Sequence, residues 1–339
     1  MTALAPHLTA FFQERLTVEL HASINTCDSY AYAFKLLLGY ASKRLKCTPS
    51  RIDLEQIDAP LVVAFLNDLQ ATRANGSGSR NARLAAIKSF MHYMEYREPS
   101  AMDQIQRVLA IPLRKTDTRL VRHLTAPEIQ ALLDAPKPID WLGVRDRAML
   151  HLTFAAGLRV SELTGLRLQD LTLHPHASVL IHGKGRRERS LPLWKETTAA
   201  IRAWLAIRGT VPAPEIFVNS RREPMTRAGF EYILEKHVRT AAKHCPSLAC
   251  KRVSPHVLRH SCALTVLEAT KDLRKVSLWL GHANMQTTEM YTRADPSIKL
   301  EALDAVTAPK LRTGRFRATD KLIASLNPRS FMRSHAGSK

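Results

Sequence analysis

The sequence predicts a mainly α-helical protein, in which an N-terminal helical bundle precedes a mixed α/β domain with a small antiparallel sheet. Three observations predict this fold class. Apolar residues recur every three or four positions along most of the chain, which is typical of helices. Strand-like stretches are confined to residues 179–182 and 188–193. A basic segment that contains Pro112 separates the two parts, and 339 residues suffice for two hydrophobic cores.

The first domain is predicted over residues 1–110 as a bundle of four or five helices. A turn over 75–79, Asn-Gly-Ser-Gly-Ser, separates two patterned segments, and Ser77 or Ser79 is predicted to cap the helix that follows. Three sets of residues carry the helical spacing: Tyr30, Phe34, Leu37 and Ala41; Val62, Leu66 and Leu69; and Leu84, Ile87, Met91 and Met94.

Residues 111–123 are predicted to form a linker, because Pro112 ends the helical pattern and the segment is basic. A basic, extended connector suits a protein that places two domains around a duplex, although many interdomain linkers are polar. Beyond the linker we expect a second domain over 124–307 and a basic tail over 308–339. The basic linker residues are Arg114, Lys115, Arg119 and Arg122.

The second domain opens with Thr125-Ala126-Pro127-Glu128, a capping box with proline in the first turn. The turn between the two strands is Gly183-Lys184-Gly185-Arg186-Arg187, which places Lys184 at the tip of the sheet. Helices are predicted over 125–135, 144–156, 196–207, 227–244, 256–269 and 273–280.

The charge of the chain indicates a polyanionic partner. Residues 1–110 hold 12 Lys and Arg against 10 Asp and Glu, whereas residues 111–339 hold 38 against 20. Such a basic surface favours nucleic acid through counterion release, without specifying a base sequence. The sequence has no apolar run of membrane-spanning length and no secretory signal, and its five cysteines are scattered. We therefore expect a cytoplasmic protein of the bacterial nucleoid, with no membrane partner.

Several cationic and nucleophilic groups accompany this charge. Arg159 follows a glycine turn, and Glu162 lies three residues on, where one helix face would present both. Taken alone, such a pair is most often a surface ion pair, and a lysine at a hairpin tip is most often solvated. Arginine suits attack on a phosphodiester, because its planar fork binds two phosphate oxygens as charge gathers on them. In chain order, the candidate catalytic residues for such an attack are Arg159, Lys184, His256, Arg259, His282 and Tyr291.

This set resembles the active site of the tyrosine recombinases, the phage-integrase family. Residues 156–163, Ala-Gly-Leu-Arg-Val-Ser-Glu-Leu, resemble the family's first arginine box, and residues 183–193 are similar to its β-hairpin lysine segment. His256-x-Leu258-Arg259-His260 resembles the second box. Leu280-Gly281-His282, with Tyr291 nine residues later, resembles the third. The resemblance covers 125–304, and the first domain resembles the family's core-binding domain in size and helicity only.

The resemblance implies a mechanism. Tyr291 would attack the scissile phosphate to form a 3′-phosphotyrosyl link, while Arg159 and Arg259 clamp the non-bridging oxygens with help from His282. Lys184 would protonate the leaving 5′-oxygen, and His256 would help with the tyrosine proton. No nucleotide cofactor or metal is expected, because the ester conserves the bond energy. The sequence agrees, since it lacks a Gly-x4-Gly-Lys-Ser/Thr phosphate loop.

Two other functions stay open at this point. A type IB topoisomerase would use the same residues to cleave and reseal one strand as a monomer, although the Leu-Gly-His and Glu162 contexts favour a recombinase. A DNA-binding accessory protein would keep the fold without the chemistry. This chain departs from the family's pattern at two positions. Arg293 stands where a histidine often follows the Tyr-Thr pair, and Lys271 replaces a glycine that is frequent before Asp272-Leu273.

The expected partner is double-stranded DNA, bound by a dimer at each site and a tetramer in the synapse. Other recombinases are a further candidate partner. The segment 295–304 is predicted to form a short helix that docks on a neighbouring protomer; packing on its own domain is the alternative. Integration, excision or transposition of a mobile element is the expected setting. The candidate DNA contacts are Arg73, Arg80, Arg83, Lys88, Arg114, Lys115, Arg119, Arg186 and Arg187.

Overall fold

A computed structural model describes residues 2–116, 120–183, 188–282 and 286–294, except the side chains of Gln286 and of residues 292–294. The chain folds into two compact units, Met1–Arg119 and Leu120–Lys339. The division falls inside the segment 111–123. The segment 295–304 and the tail 308–339 lie outside the described residues, as does the hairpin turn 184–187. Among the helices that are described, none is long and apolar enough to cross a membrane.

The first unit is a helical bundle, as predicted. Its core contains the predicted positions Phe34, Leu37, Val62, Leu66 and Leu84 among others, all buried. The helices are α1 (Leu4–Ala10), which continues into a π-helix (Phe11–Glu19), α2 (Ile24–Leu45), α3 (Ala59–Arg73), α4 (Ser77–Met94) and α5 (Met102–Leu109), with short 3-10 turns at Pro49–Arg51, Leu54–Gln56 and Pro99–Ala101. The N-terminal pair α1 and π-helix was not predicted.

The start of α4 differs from the sequence-based expectation. Ser77 is already the first helical residue, and the capping position is occupied by Gly76 in an extended conformation, with no side-chain hydrogen bond to the helix. The prediction that Ser77 or Ser79 caps this helix is therefore wrong. Side-chain caps do occur at the two preceding long helices, where Ser23 accepts from the Thr26 amide and Asp58 from the Leu61 amide.

The second unit combines helices with one small sheet, as predicted. Its helices are α6 (Ala126–Asp134), α7 (Trp141–Ala155), α8 (Val160–Gly165), α9 (Lys195–Arg208), α10 (Arg227–Ala241), α11 (Pro255–Thr270), α12 (Leu273–Leu280) and α13 (Gln286–Ala294), with 3-10 turns at Leu168–Asp170 and Pro246–Cys250. The core lies between α7, α9 and α11, where the Trp141 and Trp204 rings meet at 4.8 Å.

The sheet is antiparallel, in the order β1 (Leu171–Thr172), β2 (Ser178–His182) and β3 (Glu188–Pro192). The pairing of Leu180 with Ser190 fixes the register of the predicted hairpin. Strand β1 was not predicted, because two residues are too few to show an alternating pattern.

The predicted capping box at the start of α6 is present. The Thr125 amide donates to Glu128 Oε2 at 2.8 Å, and Lys251 Nζ approaches the same oxygen at 2.7 Å. Burial opposes ionisation of Glu128, but the hydrogen bonds from Lys251, Ser247 and Thr125 outweigh it and lower its pKa to about 2. This carboxylate therefore ties α6 to the loop that precedes α11.

Candidate active site

A glycine turn positions the first arginine. Gly157 ends the turn after α7 with a φ of +56°, and a Cβ there would lie 2.6 Å from Leu280 Cδ2. The turn brings Arg159 to the N-terminal cap of α8, and its side chain is 32% exposed. Partial exposure leaves this guanidinium open to a ligand.

The Glu162 carboxylate contacts three arginines, one of which is Arg159. Its carboxylate lies 2.7 Å from Arg159 Nη1, 2.9 Å from Arg189 Nη2 and 3.7 Å from Arg259 Nη1. Burial opposes ionisation of Glu162, but the hydrogen bond and charge of Arg189 lead the interactions that lower its pKa. One buried carboxylate thus faces three guanidinium groups, and the cluster retains an excess of positive charge.

Arg259 is held more deeply than Arg159. Its side chain is buried on α11 and donates from Nη1 to the Gly157 carbonyl at 2.5 Å and from Nη2 to the Leu280 carbonyl at 2.6 Å. A guanidinium has five N–H donors, so these two bonds leave others for a ligand. Burial, followed by the charge of Arg159, lowers the pKa of Arg259 to about 10, and the group stays cationic at neutral pH.

Tyr291 is brought to this cluster by α13. Its side chain is 1% exposed, and its hydroxyl lies 3.0 Å from His260 Nδ1. Burial raises the pKa of the phenol to about 12, against the opposing charges of Arg259 and Arg159. A buried, protonated phenol beside fixed cations can serve as a nucleophile. Once a phosphodiester is bound to those cations, the phenol needs only to lose its proton in order to attack the phosphorus.

His282 follows the C-terminal cap of α12, where Gly281 has a φ of +62°. Its ring stacks on the Tyr291 ring with 6.3 Å between centroids and 7° between planes, and its Nδ1 lies 2.9 Å from Thr288 Oγ1. Burial and then the nearby arginines, Arg259 first, lower the pKa of His282 to about 4. The imidazole is therefore neutral at pH 7.

The structure brings four of the six predicted catalytic residues into one cluster: Arg159, Arg259, His282 and Tyr291. His256 is exposed at the first turn of α11. Its ring centroid lies 6.5 Å from that of His260. Lys184 lies outside the described residues, and so do the candidate DNA contacts Arg119, Arg186 and Arg187.

Two residues of the cluster were not predicted. Arg189 on β3 donates to Glu162 and, through Nε, to the Trp279 carbonyl at 3.0 Å, so it connects the hairpin with the end of α12. His260 contacts the Tyr291 hydroxyl. Both lie inside motifs that the sequence displays, but their spacing alone does not reveal which partners they face.

The candidate DNA contacts of the first unit differ in their surroundings. Arg73 Nη1 donates to Tyr32 Oη at 3.1 Å, and the Arg83 guanidinium lies 4.8 Å from the Tyr32 ring centroid. Arg114 and Lys115 are exposed and Lys88 is half-buried. Arg80 is only 4% exposed, which removes most of its side chain from direct contact with a partner.

Comparison with known proteins gives a consistent result. Residues 122–297 match the phage integrase family, and residues 10–98 match the phage integrase N-terminal SAM-like domain. A Sinorhizobium fredii (strain NBRC 101917 / NGR234) protein named as integrase/recombinase y4rC is 43% identical over 325 residues, 96% of this chain and 98% of that protein. Tyrosine recombinase XerC of Pelobacter propionicus (strain DSM 2379 / NBRC 103807 / OttBd1) is 33% identical over 304 residues, 89% and 95% of the two chains.

The fold is also similar to that of the XerH site-specific recombinase in a crystal structure with its palindromic difH substrate. The TM-score is 0.67 at 22% identity, over 84% of this chain and 80% of that one. Because the family match covers more than half of the chain and XerC is related along nearly its whole length, the chain belongs to the phage integrase family and is a tyrosine-type site-specific recombinase.

Proposed function

We propose that this recombinase cleaves and rejoins DNA strands through a covalent 3′-phosphotyrosyl intermediate on Tyr291. The observation that carries the proposal is the burial of the Tyr291 phenol beside the Arg159, Glu162 and Arg259 cluster. A phosphodiester bound to those arginines would lie against the one phenol of this cluster among the described residues.

The proposed roles follow the geometry. The Tyr291 oxygen forms a bond to phosphorus as the bond from phosphorus to the 5′-oxygen breaks. Arg159 and Arg259 bind the non-bridging oxygens, where charge develops, and His282 adds a hydrogen bond. Lys184 supplies the proton to the 5′-oxygen, and Glu162 orients the arginines. Reversal by a 5′-hydroxyl of the other duplex rejoins the strand.

Double-stranded DNA is the proposed partner, with a dimer at each site and a tetramer in the synapse. Residues 111–339 hold 38 basic and 20 acidic residues, and this positive charge supports DNA binding through counterion release. We propose that Arg73, Arg83 and Lys88 add phosphate contacts, and that the segment 295–304 docks on a neighbouring protomer. Action on a mobile element in the cytoplasm, alone or with other recombinases, completes the proposal.

A nicked suicide substrate tests the proposed chemistry. The wild-type chain is expected to form a covalent protein–DNA adduct that survives a denaturing gel, because loss of a short 5′-ended fragment prevents resealing. An absent adduct with a correct site would favour the DNA-binding accessory function.

Mixing two intact sites then distinguishes a recombinase from a type IB topoisomerase. Holliday junctions and paired-site complexes in a native gel are expected, and relaxation without junctions would contradict the proposal.

Lys184→Ala is expected to slow cleavage of an ordinary site by about 10²–10⁴, the usual contribution of a general acid. A substrate with sulfur in place of the bridging 5′-oxygen is expected to restore the rate, because a thiolate leaves without a proton. Cleavage rates on the two substrates measure the effect, and Lys236→Ala, which removes an exposed lysine on α10, is the control. Equal defects on both substrates would show that Lys184 does not protonate the leaving group.

A further inference from the structure

The imidazole of His260 lies within hydrogen-bonding distance of the nucleophile of the proposed reaction. Its Nδ1 lies 3.0 Å from the Tyr291 hydroxyl, and the two ring centroids are 5.7 Å apart. This bond joins α11 to α13, two helices that are in contact. Nδ1 is therefore within reach of the proton that the Tyr291 hydroxyl loses during attack.

His256 is the competing candidate, but its geometry is less favourable. Its ring is exposed and lies 6.5 Å from the His260 ring, centroid to centroid. A general base must lie within about 2.6–3.2 Å of the atom that loses the proton, or reach it through one water. His260 meets this condition directly.

We propose that His260, rather than His256, accepts the Tyr291 proton during strand cleavage and returns it during rejoining. The inference rests on the proposed role of Tyr291 as nucleophile. As the bond from Oη to phosphorus forms, the O–H bond breaks and its proton moves to Nδ1, so the imidazole becomes imidazolium. The 5′-oxygen takes its proton from a different group. In the reverse step Nδ1 returns the proton to the departing phenol oxygen.

The surroundings of His260 keep its ring unprotonated at neutral pH. Burial, followed by the charges of His256 and Arg259, lowers the pKa of His260 to about 4, while burial holds the pKa of Tyr291 near 12. At neutral pH the phenol therefore keeps its proton and the imidazole is neutral. In the tautomer that the proposal uses, the ring hydrogen is on Nε2 and the phenol donates to Nδ1. Among the described residues, the other titratable groups that act on this pair are His282, whose ring stacks on Tyr291, and Cys262 and Arg159, whose charges act on the phenol. Bound phosphate adds the negative charge that stabilises an imidazolium.

The test measures cleavage of the suicide substrate with a bridging 5′-sulfur, so that only activation of the nucleophile limits the rate. His260→Asn places an amide near Nδ1, which still accepts a hydrogen bond from the phenol but does not take up its proton. We expect cleavage at pH 7 to fall by about 10²–10⁴. In the wild type the rate should rise with pH and level off once His260 is neutral; in the variant it should rise about tenfold per pH unit without levelling off below the phenol pKa.

His256→Asn is the matched comparison: whatever the change in its rate, its pH profile should keep a plateau. That plateau should begin at a higher pH, because the charge of His256 helps to lower the pKa of His260. A wild-type rate and profile in His260→Asn would overturn the inference, as would loss of the plateau in His256→Asn alone. If His260→Asn no longer binds the site, His260→Ala is assayed with and without imidazole: restored cleavage supports the inference, and a DNA-binding variant that imidazole does not restore contradicts it. Adduct formation by Tyr291→Phe would instead overturn the proposed function.

Discussion

Tyr291→Phe is expected to abolish the covalent protein–DNA adduct while leaving site binding intact. The substitution removes one oxygen and keeps the ring that stacks on His282. The structural cost is the lost partner of His260 Nδ1, about 1–3 kcal/mol for a buried polar atom. A typical domain has about 5–15 kcal/mol of stability, so the variant should stay folded.

A denaturing gel after incubation with the nicked substrate measures the adduct, and a native gel measures binding. Tyr232→Phe is the matched control, because that side chain is 68% exposed on α10 of the same unit. The control should form adduct as the wild type does. A persistent adduct in Tyr291→Phe, mapped to another residue, would show that the buried phenol is not the nucleophile.

Arg159→Ala is expected to slow cleavage by about 10²–10³, the usual effect of removing one preorganised donor to a developing charge. Binding of the site should weaken far less, because the lost interaction is strongest in the transition state. Arg159 is the arginine that isolates this effect. Its side chain is 32% exposed and its ion pair is with Glu162, which Arg189 continues to neutralise. Single-turnover cleavage rates and gel-shift affinities measure the two quantities.

The control for Arg159→Ala is Arg227→Ala, which removes an exposed arginine that also pairs with a glutamate, Glu231 at 3.1 Å. It should leave the cleavage rate unchanged. Arg259→Ala is a less selective variant, because it also strips the Gly157 and Leu280 carbonyls of their donors. Equal losses of affinity and rate in Arg159→Ala would mean that the arginine serves binding and not the transition state.

Periodic patterns predicted the elements that have a long, uniform spacing. The buried faces of α2, α3 and α4 match the predicted helical positions, and α12 has the predicted bounds Leu273–Leu280. The patterns failed where an element is short or its face is irregular. Strand β1 has two residues, and the cap of α4 is a glycine that no side-chain preference indicates.

By itself the sequence determined which residue types are available for the chemistry and in which order, because a motif such as His256-x-Leu258-Arg259-His260 is a local property of the chain. Only the tertiary structure decided which of these groups meet. Arg189 reaches Glu162 across 27 positions, and His260 reaches Tyr291 across 31. Such contacts depend on how α8, β3, α11 and α13 pack, and local spacing carries no information about distances across that core. Packing also sets the charge of the site, since burial moves the pKa values of His260, His282 and Tyr291 away from those of the free side chains.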